Sequence, residues 1–368
     1  MTRLYKYLLI SVCLNVACWP DSCIGQQSVS EKAMEISVSR REIRIPMTEA
    51  GTAGLQGELF LPSTHDKHPL VLMTHAMFDG EERKIGPGTL QPQALWFARR
   101  GWAVAVVLRR GFGDSGGKFN RPRVGCGEAH LETEGAEDAR DLSAAYEYLA
   151  RFPEVDASRM IAVGDAMGGV SVVSFGVKAP PALKAVIGFS IYWPAALFSD
   201  CKKPGFVPFG DLGTEVPVPM LWIYAKNEHF PFPGPKSAAQ FHQAFIAAGG
   251  NAEFSLVDRS GENGYFLFRD SPQLWGPVVE RYLAARGLPS NPLCPDPAAA
   301  TAKLPPGFSD SAQKAFADYQ ARGPFKAFAV GPGGSWGYST GKRTAKLADE
   351  DALGLCGPTC KIITRDGQ

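Results

Sequence analysis

Residues 160–169 read MIAVGDAMGG. The apolar run from Met160 to Val163 enters a Gly-x-x-x-Gly turn between Gly164 and Gly168, and the stretch GGVSVVSFGV leaves it. A short apolar run stopped by glycine is a buried strand, and the segment after the turn is long enough for a helix. Strand, tight turn and helix together lift the central side chain of the turn above the end of a sheet. The turn is strained, and small neighbours on both sides permit it. Its central residue here is Ala166.

On either side of this turn, from Glu35 to Gly287, apolar runs alternate with amphipathic stretches, the pattern of a mostly parallel sheet with helices on both faces. PLVLMTH (69–75), WAVAVVLRR (102–110), LKAVIGFS (183–190), PMLWIYA (219–225) and AEFSLV (252–257) read as buried strands. ISVSRREIRIP (36–46) and GLQGELFLP (54–62) alternate apolar with polar, as antiparallel strands with one wet face do. Between strands, Ala136, Ala139, Leu142, Ala145, Tyr146 and Leu149 recur at helical spacing within 131–152. The fold class is α/β, with an eight-stranded, mostly parallel sheet expected over 26–288.

Residues 289–305 form a proline-rich linker, and 306–368 a small α+β unit with helices near 309–322 and 343–355 and strands at 326–330, 335–339 and 360–364. Residues 1–25 read as an export signal: Arg3 and Lys6 precede an apolar run from Tyr7 to Cys18, and Cys23 and Gly25 offer a cleavage site. The expected location is the bacterial periplasm or the medium, with an uncleaved or lipidated anchor as the alternative. Beyond that signal lie Cys126, Cys201, Cys294, Cys356 and Cys360, an odd number in a compartment that favours disulfides. Cys356 with Cys360 and Cys126 with Cys201 are the candidate pairs. With 38 Lys and Arg against 37 Asp and Glu, the chain offers no basic surface for nucleic acid. No cofactor loop and no metal-ligand spacing is present, so neither a cofactor nor a metal is expected.

MIAVGDAMGG, preceded by VLMTHAMFDG (71–80) and VVLRRGFGDSGG (106–117), resembles in order and context the α/β-hydrolase superfamily, and within it the dienelactone-hydrolase-like and acyl-peptidase-like exported hydrolases. The resemblance covers roughly 35–287. It implies a nucleophile, then an acid, then a histidine along the chain. It places Ala166 at the nucleophile position, Glu228 of WIYAKNEHF at the acid position, and Tyr265 of GENGYFLF at the histidine position. The oxyanion hole is expected from backbone N–H groups of Met167 and of Ala76 or Met77. Phe78, Trp193, Phe230 and Phe232 are expected around the pocket mouth.

Two of the three triad positions therefore lack their chemistry. Alanine has no nucleophilic atom, and a tyrosine hydroxyl with an ordinary pKa of about 10 is a poor base at neutral pH. Loss of serine or histidine from such a set costs on the order of a millionfold in rate. His229, beside Glu228, is the alternative base. His75 is expected to support the oxyanion loop, Asp165 to point away from the turn, and Ser171 to be a packing or surface serine. Arg109, Arg110 and Asp114 are read as structural, and Trp336 and Tyr338 as turn packing or a platform for peptide or glycan.

The expectation is an exported protein of carboxylic-ester or peptide hydrolase type that has become a pseudoenzyme, binding a small molecule or peptide with a carbonyl or carboxylate group. The alternatives are an active hydrolase with a rearranged set, a chain carrying an inactivating substitution at the nucleophile, and an envelope binding protein acting through its C-terminal unit. The oligomeric state is left open.

Overall fold

The computed structural model describes residues 37–64, 66–76, 85–119, 130–191, 207–229, 234–293, 304, 306–321, 326–340, 342 and 345–365. The strands are β1 (Val38–Ile45), β2 (Leu55–Pro62), β3 (His68–Thr74), β4 (Ala103–Val107), β5 (Val155–Asp165), β6 (Leu183–Phe189), β7 (Met220–Ala225) and β8 (Ala252–Val257). They form one eight-stranded sheet in the order β1-β2-β4-β3-β5-β6-β7-β8. β2 runs antiparallel to β1 and β4, and every pairing from β4 through β3 to β8 is parallel. The mixed sheet read from the sequence is the sheet observed.

Helices cover both faces. They are α1 (Gln91–Ala98), α2 (His130–Leu149), α3 (Met167–Val177), α4 (Val207–Glu215), α5 (Gly234–Ala247), α6 (Leu267–Asp270) and α7 (Pro272–Ala284). The strand period of two decides which side chains meet which helices. Leu70, Leu72, Ala162, Trp222 and Tyr224 point into a core with Leu142, Val170, Phe241 and Phe245 of α2, α3 and α5. Their neighbours Val71, Met73, Ile161, Val163 and Ile223 point into a second core with Phe97, Trp275, Val279 and Leu283 of α1 and α7. Strands buried on both faces carry continuous apolar runs for this reason. β8, at the sheet edge, is half-exposed over most of its length.

β5 starts at Val155, earlier than the apolar run alone indicates. Val155 and Asp156 pair with His68 and Pro69, the register then shifts, and Met160 resumes opposite Leu70. Ala157, Ser158 and Arg159 occupy that irregularity, and with Asp156 they interrupt the apolar run and conceal the first pairs from a hydrophobicity reading.

A second, antiparallel sheet has the order β10-β9-β11, with β9 (Ala327–Val330), β10 (Trp336–Ser339) and β11 (Lys361–Arg365). Ala327 and Ala329 pack with Ala348 and Ala352 of α9 (Ala345–Cys356). Phe328, between them in sequence, packs with Phe316 and Tyr319 of α8 (Asp310–Ala321), again the period of two. Trp336 and Tyr338 stack on Phe328 at ring separations of 6.1 and 5.9 Å, so both are engaged in packing. Cys356 and Cys360 form a disulfide that ties the end of α9 to the start of β11. Cys126, Cys201 and Cys294 lie outside the described residues, as do 1–25 and most of the linker.

Candidate active site

The parallel strands end on one side of the sheet, where the loops that carry chemistry in open α/β sheets collect. At the end of β5, Ala166 has φ 51° and ψ −111° and is fully buried. Ser190, directly after the neighbouring β6, has φ 43°, and these two are the non-glycine residues with positive φ among those described. Such backbone is costly for a residue with a side chain and persists only where its surroundings impose it. Here the surroundings are close backbone. A Cβ on Gly164 would lie 2.1 Å from the Gly168 carbonyl oxygen, and one on Gly168 would lie 2.6 Å from that of His75. The Gly-x-x-x-Gly spacing is thus a three-way backbone contact between β5, α3 and the end of β3.

Met167 opens α3, so its N–H belongs to the helix's first turn, where backbone donors lack partners within the helix and the dipole favours negative charge. The buried residues Ala76, Ala166 and Tyr265 form one small apolar cluster. The structure therefore brings together the nucleophile position, the histidine position and one of the two oxyanion-loop residues named from the sequence. Tyr265 is 8% exposed and Ala166 is wholly covered. Where a serine and a histidine would exchange a proton, an aromatic ring lies against a methyl group.

Glu228 sits three residues beyond β7 and is buried. Its Oε1 accepts from Ser190 Oγ at 2.8 Å and from the Ala225 N–H at 2.9 Å. Burial pushes its carboxyl up to about 7, and the two donors only partly offset this. Asp165, beside the turn, has a buried Oδ1 that no hydrogen bond satisfies. Burial holds its carboxyl up to about 7, with Arg269 acting in the opposite sense and Glu228 and Asp270 adding repulsion.

Two asparagines join the acid loop to the Tyr265 loop. Asn227 Nδ2 donates to the Ser260 carbonyl at 3.1 Å, and its Oδ1 accepts from the Ser260 N–H at 2.9 Å. Asn263 Oδ1 accepts from the Tyr265 N–H at 3.1 Å and from the His229 N–H at 3.4 Å. Gly264 fits between them because a Cβ there would lie 2.6 Å from that of Ala225.

His75 has the supporting role expected. Its Nε2 accepts from the Arg109 N–H at 3.2 Å, so the proton is on Nδ1, which donates to the Ala76 carbonyl at 2.6 Å. Burial, and then the Arg109 charge, hold it well below the usual histidine range and keep it neutral. Arg109 donates to the His75 carbonyl at 3.0 Å and pairs with Asp138 at 2.8 Å. Arg110 clasps Asp141 through its backbone N–H and Nε at 2.8 and 2.6 Å. Both arginines are structural, as read. Ser171 is no surface residue. It is fully buried, and its Oγ donates to Asp138 at 2.6 Å within the Arg109 network.

His229 is exposed, and its Nδ1 lies 3.0 Å from the Asn227 carbonyl, so that ring nitrogen is occupied by its own loop. Met77, Phe78, Trp193, Phe230 and Phe232 lie outside the described residues. Ser190, Asn227, Asn263 and Asp138 are site-supporting residues that the sequence did not single out. The positions of Ser190, Asn227 and Asn263 just beyond strand ends or in a loop could have drawn attention to them, whereas Asp138, within α2, carries no such signal. Among the described residues no cluster of His, Cys, Asp and Glu is placed to hold a metal ion.

Residues 51–196 match the family of X-Pro dipeptidyl-peptidases (S15 family). Similar solved structures include an esterase of Pyrococcus furiosus, at 15% identity and a TM-score of 0.47, with 68% of this chain and 93% of that one covered. A dienelactone hydrolase-like promiscuous phosphotriesterase from metagenomic libraries is similar at 15% identity and a TM-score of 0.44, covering 69% and 89%. A puromycin-hydrolyzing peptidase of Mycobacterium tuberculosis is similar at 16% identity and a TM-score of 0.43, covering 61% of this chain and 37% of that one. No curated protein sequence matches the chain.

Proposed function

From the premise that the chain belongs to the α/β-hydrolase superfamily, we propose that it is an exported pseudoenzyme of carboxylic-ester or peptide hydrolase type, which binds a carbonyl- or carboxylate-bearing small molecule or peptide without cleaving it. The observation that carries this reading is the cluster of Ala166, Ala76 and Tyr265. A hydrolase of this kind needs a nucleophilic atom at the turn and a base in reach of it. In this chain both places are taken by groups that pack against each other.

Glu228 supports the same reading. A triad acid acts by accepting from the imidazole N–H and stabilising the cation that forms. Here the identified donors to Oε1 are Ser190 and the Ala225 backbone, which bind the carboxyl to the ends of β6 and β7. What a lost side chain does not remove is the backbone: the strained turn and the N–H groups in the first turn of α3 remain, donors of the kind that can receive a carbonyl oxygen.

The test is hydrolysis of short aryl esters and aminoacyl anilides by the chain from Gln26 onward. The expected rate is that of buffer, unchanged by Glu228→Gln. The pair Ala166→Ser with Tyr265→His is expected to raise it at least about tenfold and to make the protein react with a serine-directed fluorophosphonate. Turnover by the unaltered chain that falls on Glu228→Gln sinks the proposal and assigns a rearranged mechanism.

A further inference from the structure

Beside the core stripe of Trp275, Val279 and Leu283, α7 carries a second one, in which Val278, Arg281 and Tyr282, continued by Ala285, follow at the three- and four-residue spacing that shares a helix face. Leu221 and Ile223 of β7 face α7, and the residues paired with them on the edge strand β8 are Glu253 and Ser255. These two therefore stand on the α7 side of the sheet. Between the second stripe and β8 lies a cavity of about 210 Å³, whose polar lining is Glu253, Ser255, Arg281, Tyr282 and Arg286. Leu221 and Glu253 are near the starts of their strands, so the cavity is at the end of the parallel sheet opposite the Ala166 turn.

Arg286 is engaged on every side. Its Nη2 pairs with Glu253 Oε1 at 2.9 Å, its Nη1 donates to the Tyr282 carbonyl at 3.0 Å, and its guanidinium lies over the Tyr282 ring, 3.6 Å from the centroid. Glu253 is the one carboxylate in the lining, and Arg286 occupies it. Arg281 is exposed and has neither an ion pair nor a side-chain hydrogen bond. The lining thus keeps one unmatched positive charge. The Tyr282 hydroxyl belongs to a residue only 3% exposed and has no hydrogen-bond partner. Burial holds it above the usual tyrosine range, with the Arg286 charge acting in the opposite sense, so it remains a protonated donor. A guanidinium has only donors, so neither arginine can accept that proton, and a buried donor without an acceptor is costly.

Three properties select the occupant. The volume falls below the roughly 300–1,000 Å³ of sites for drug-sized ligands, so the occupant is small. The unmet donors on Arg281 and Tyr282 call for oxygen acceptors. One unmatched charge calls for a single negative charge, since a doubly charged phosphate would reverse the imbalance. We propose that the cavity between β8 and α7 binds a small monocarboxylate, one oxygen on Arg281 and the other on the Tyr282 hydroxyl, with a short apolar tail against Leu221, Val278 and Ala285. This site is separate from the Ala166 turn and does not rest on the reading given to that turn.

Titration calorimetry at neutral pH and low salt tests it on the chain from Gln26 onward, with butyrate, uncharged butyramide and inorganic phosphate as the probes. Butyrate is expected to bind with a Kd below about 1 mM, and butyramide and phosphate about tenfold more weakly. Arg281→Gln and Tyr282→Phe are each expected to weaken butyrate about tenfold with unchanged circular dichroism. A carboxylate held at the Ala166 turn would ignore both substitutions, so the two variants separate the sites. If Tyr282→Phe alters the circular dichroism, Arg281→Gln decides the matter, because that side chain is exposed and unpartnered. No butyrate binding at about 1 mM, butyramide or phosphate as tight as butyrate, or indifference to either substitution in the folded protein overturns the proposal.

Discussion

The carboxyl groups of Asp165 and Glu228 are held up to about 7, so the fold binds protons that the unfolded chain has already released. For Glu228, a raised folded pKa means that its favourable contribution is complete below the unfolded value of about 4.3 and is lost as pH rises to about 7. Glu228→Gln keeps an oxygen to accept from Ser190 and Ala225 without the buried charge. It is expected to stabilise the protein by about 2 kcal/mol at pH 8 and to leave it nearly unchanged near pH 5, read as unfolding midpoints in urea at the two pH values. A gain of equal size at both pH values would mean that the charge is not what matters. Gly164 gives a second expectation. Because its missing Cβ would sit 2.1 Å from a backbone oxygen that no rotamer can move, Gly164→Ala is expected to cost about 3 kcal/mol in the same assay.

The strands and helices were legible because their burial is regular. All eight strands of the main sheet and all three of the second arise at the expected places, since runs such as PLVLMTH and KAFAV have no other way to hide both faces. The tip of the turn was legible as well, since two glycines four apart after a strand leave few alternatives. The supports behind it were not: Ser190 and Asn227 act through positions beyond strand ends that only tertiary contact defines. Ser171 was read only as a packing or surface serine, and its link to Arg109 was missed because a serine on an apolar helix does not announce a buried arginine 62 residues away in the chain. The helix pair α1 and α7 carries an aromatic assembly against the sheet, with Trp275 wholly buried and its ring 4.8 Å from that of Trp96 and 5.3 Å from that of Phe189. Trp275→Ala is expected to cost about 3–5 kcal/mol, measured by denaturant unfolding. A loss below about 1 kcal/mol would show that the α7 face of the sheet contributes little to global stability.

Taken whole, the described residues combine an eight-stranded α/β sheet, with a turn at the end of β5 whose tip is an alanine, and a small three-stranded sheet. The near-balance of charge fits recognition by local groups more than by a long-range field. What the two asparagine links mean for the molecule's past and its engineering is a matter of distance in sequence space. Asn227 and Asn263 already hold the backbone at 265 in fixed register with the acid loop, so a histidine grafted there has only its rotamer to choose. The entropy of ordering that loop is spent in the present protein. On the proposed reading, therefore, restoring a serine at 166 and a histidine at 265 calls for two codons and for no rearrangement of the asparagine links.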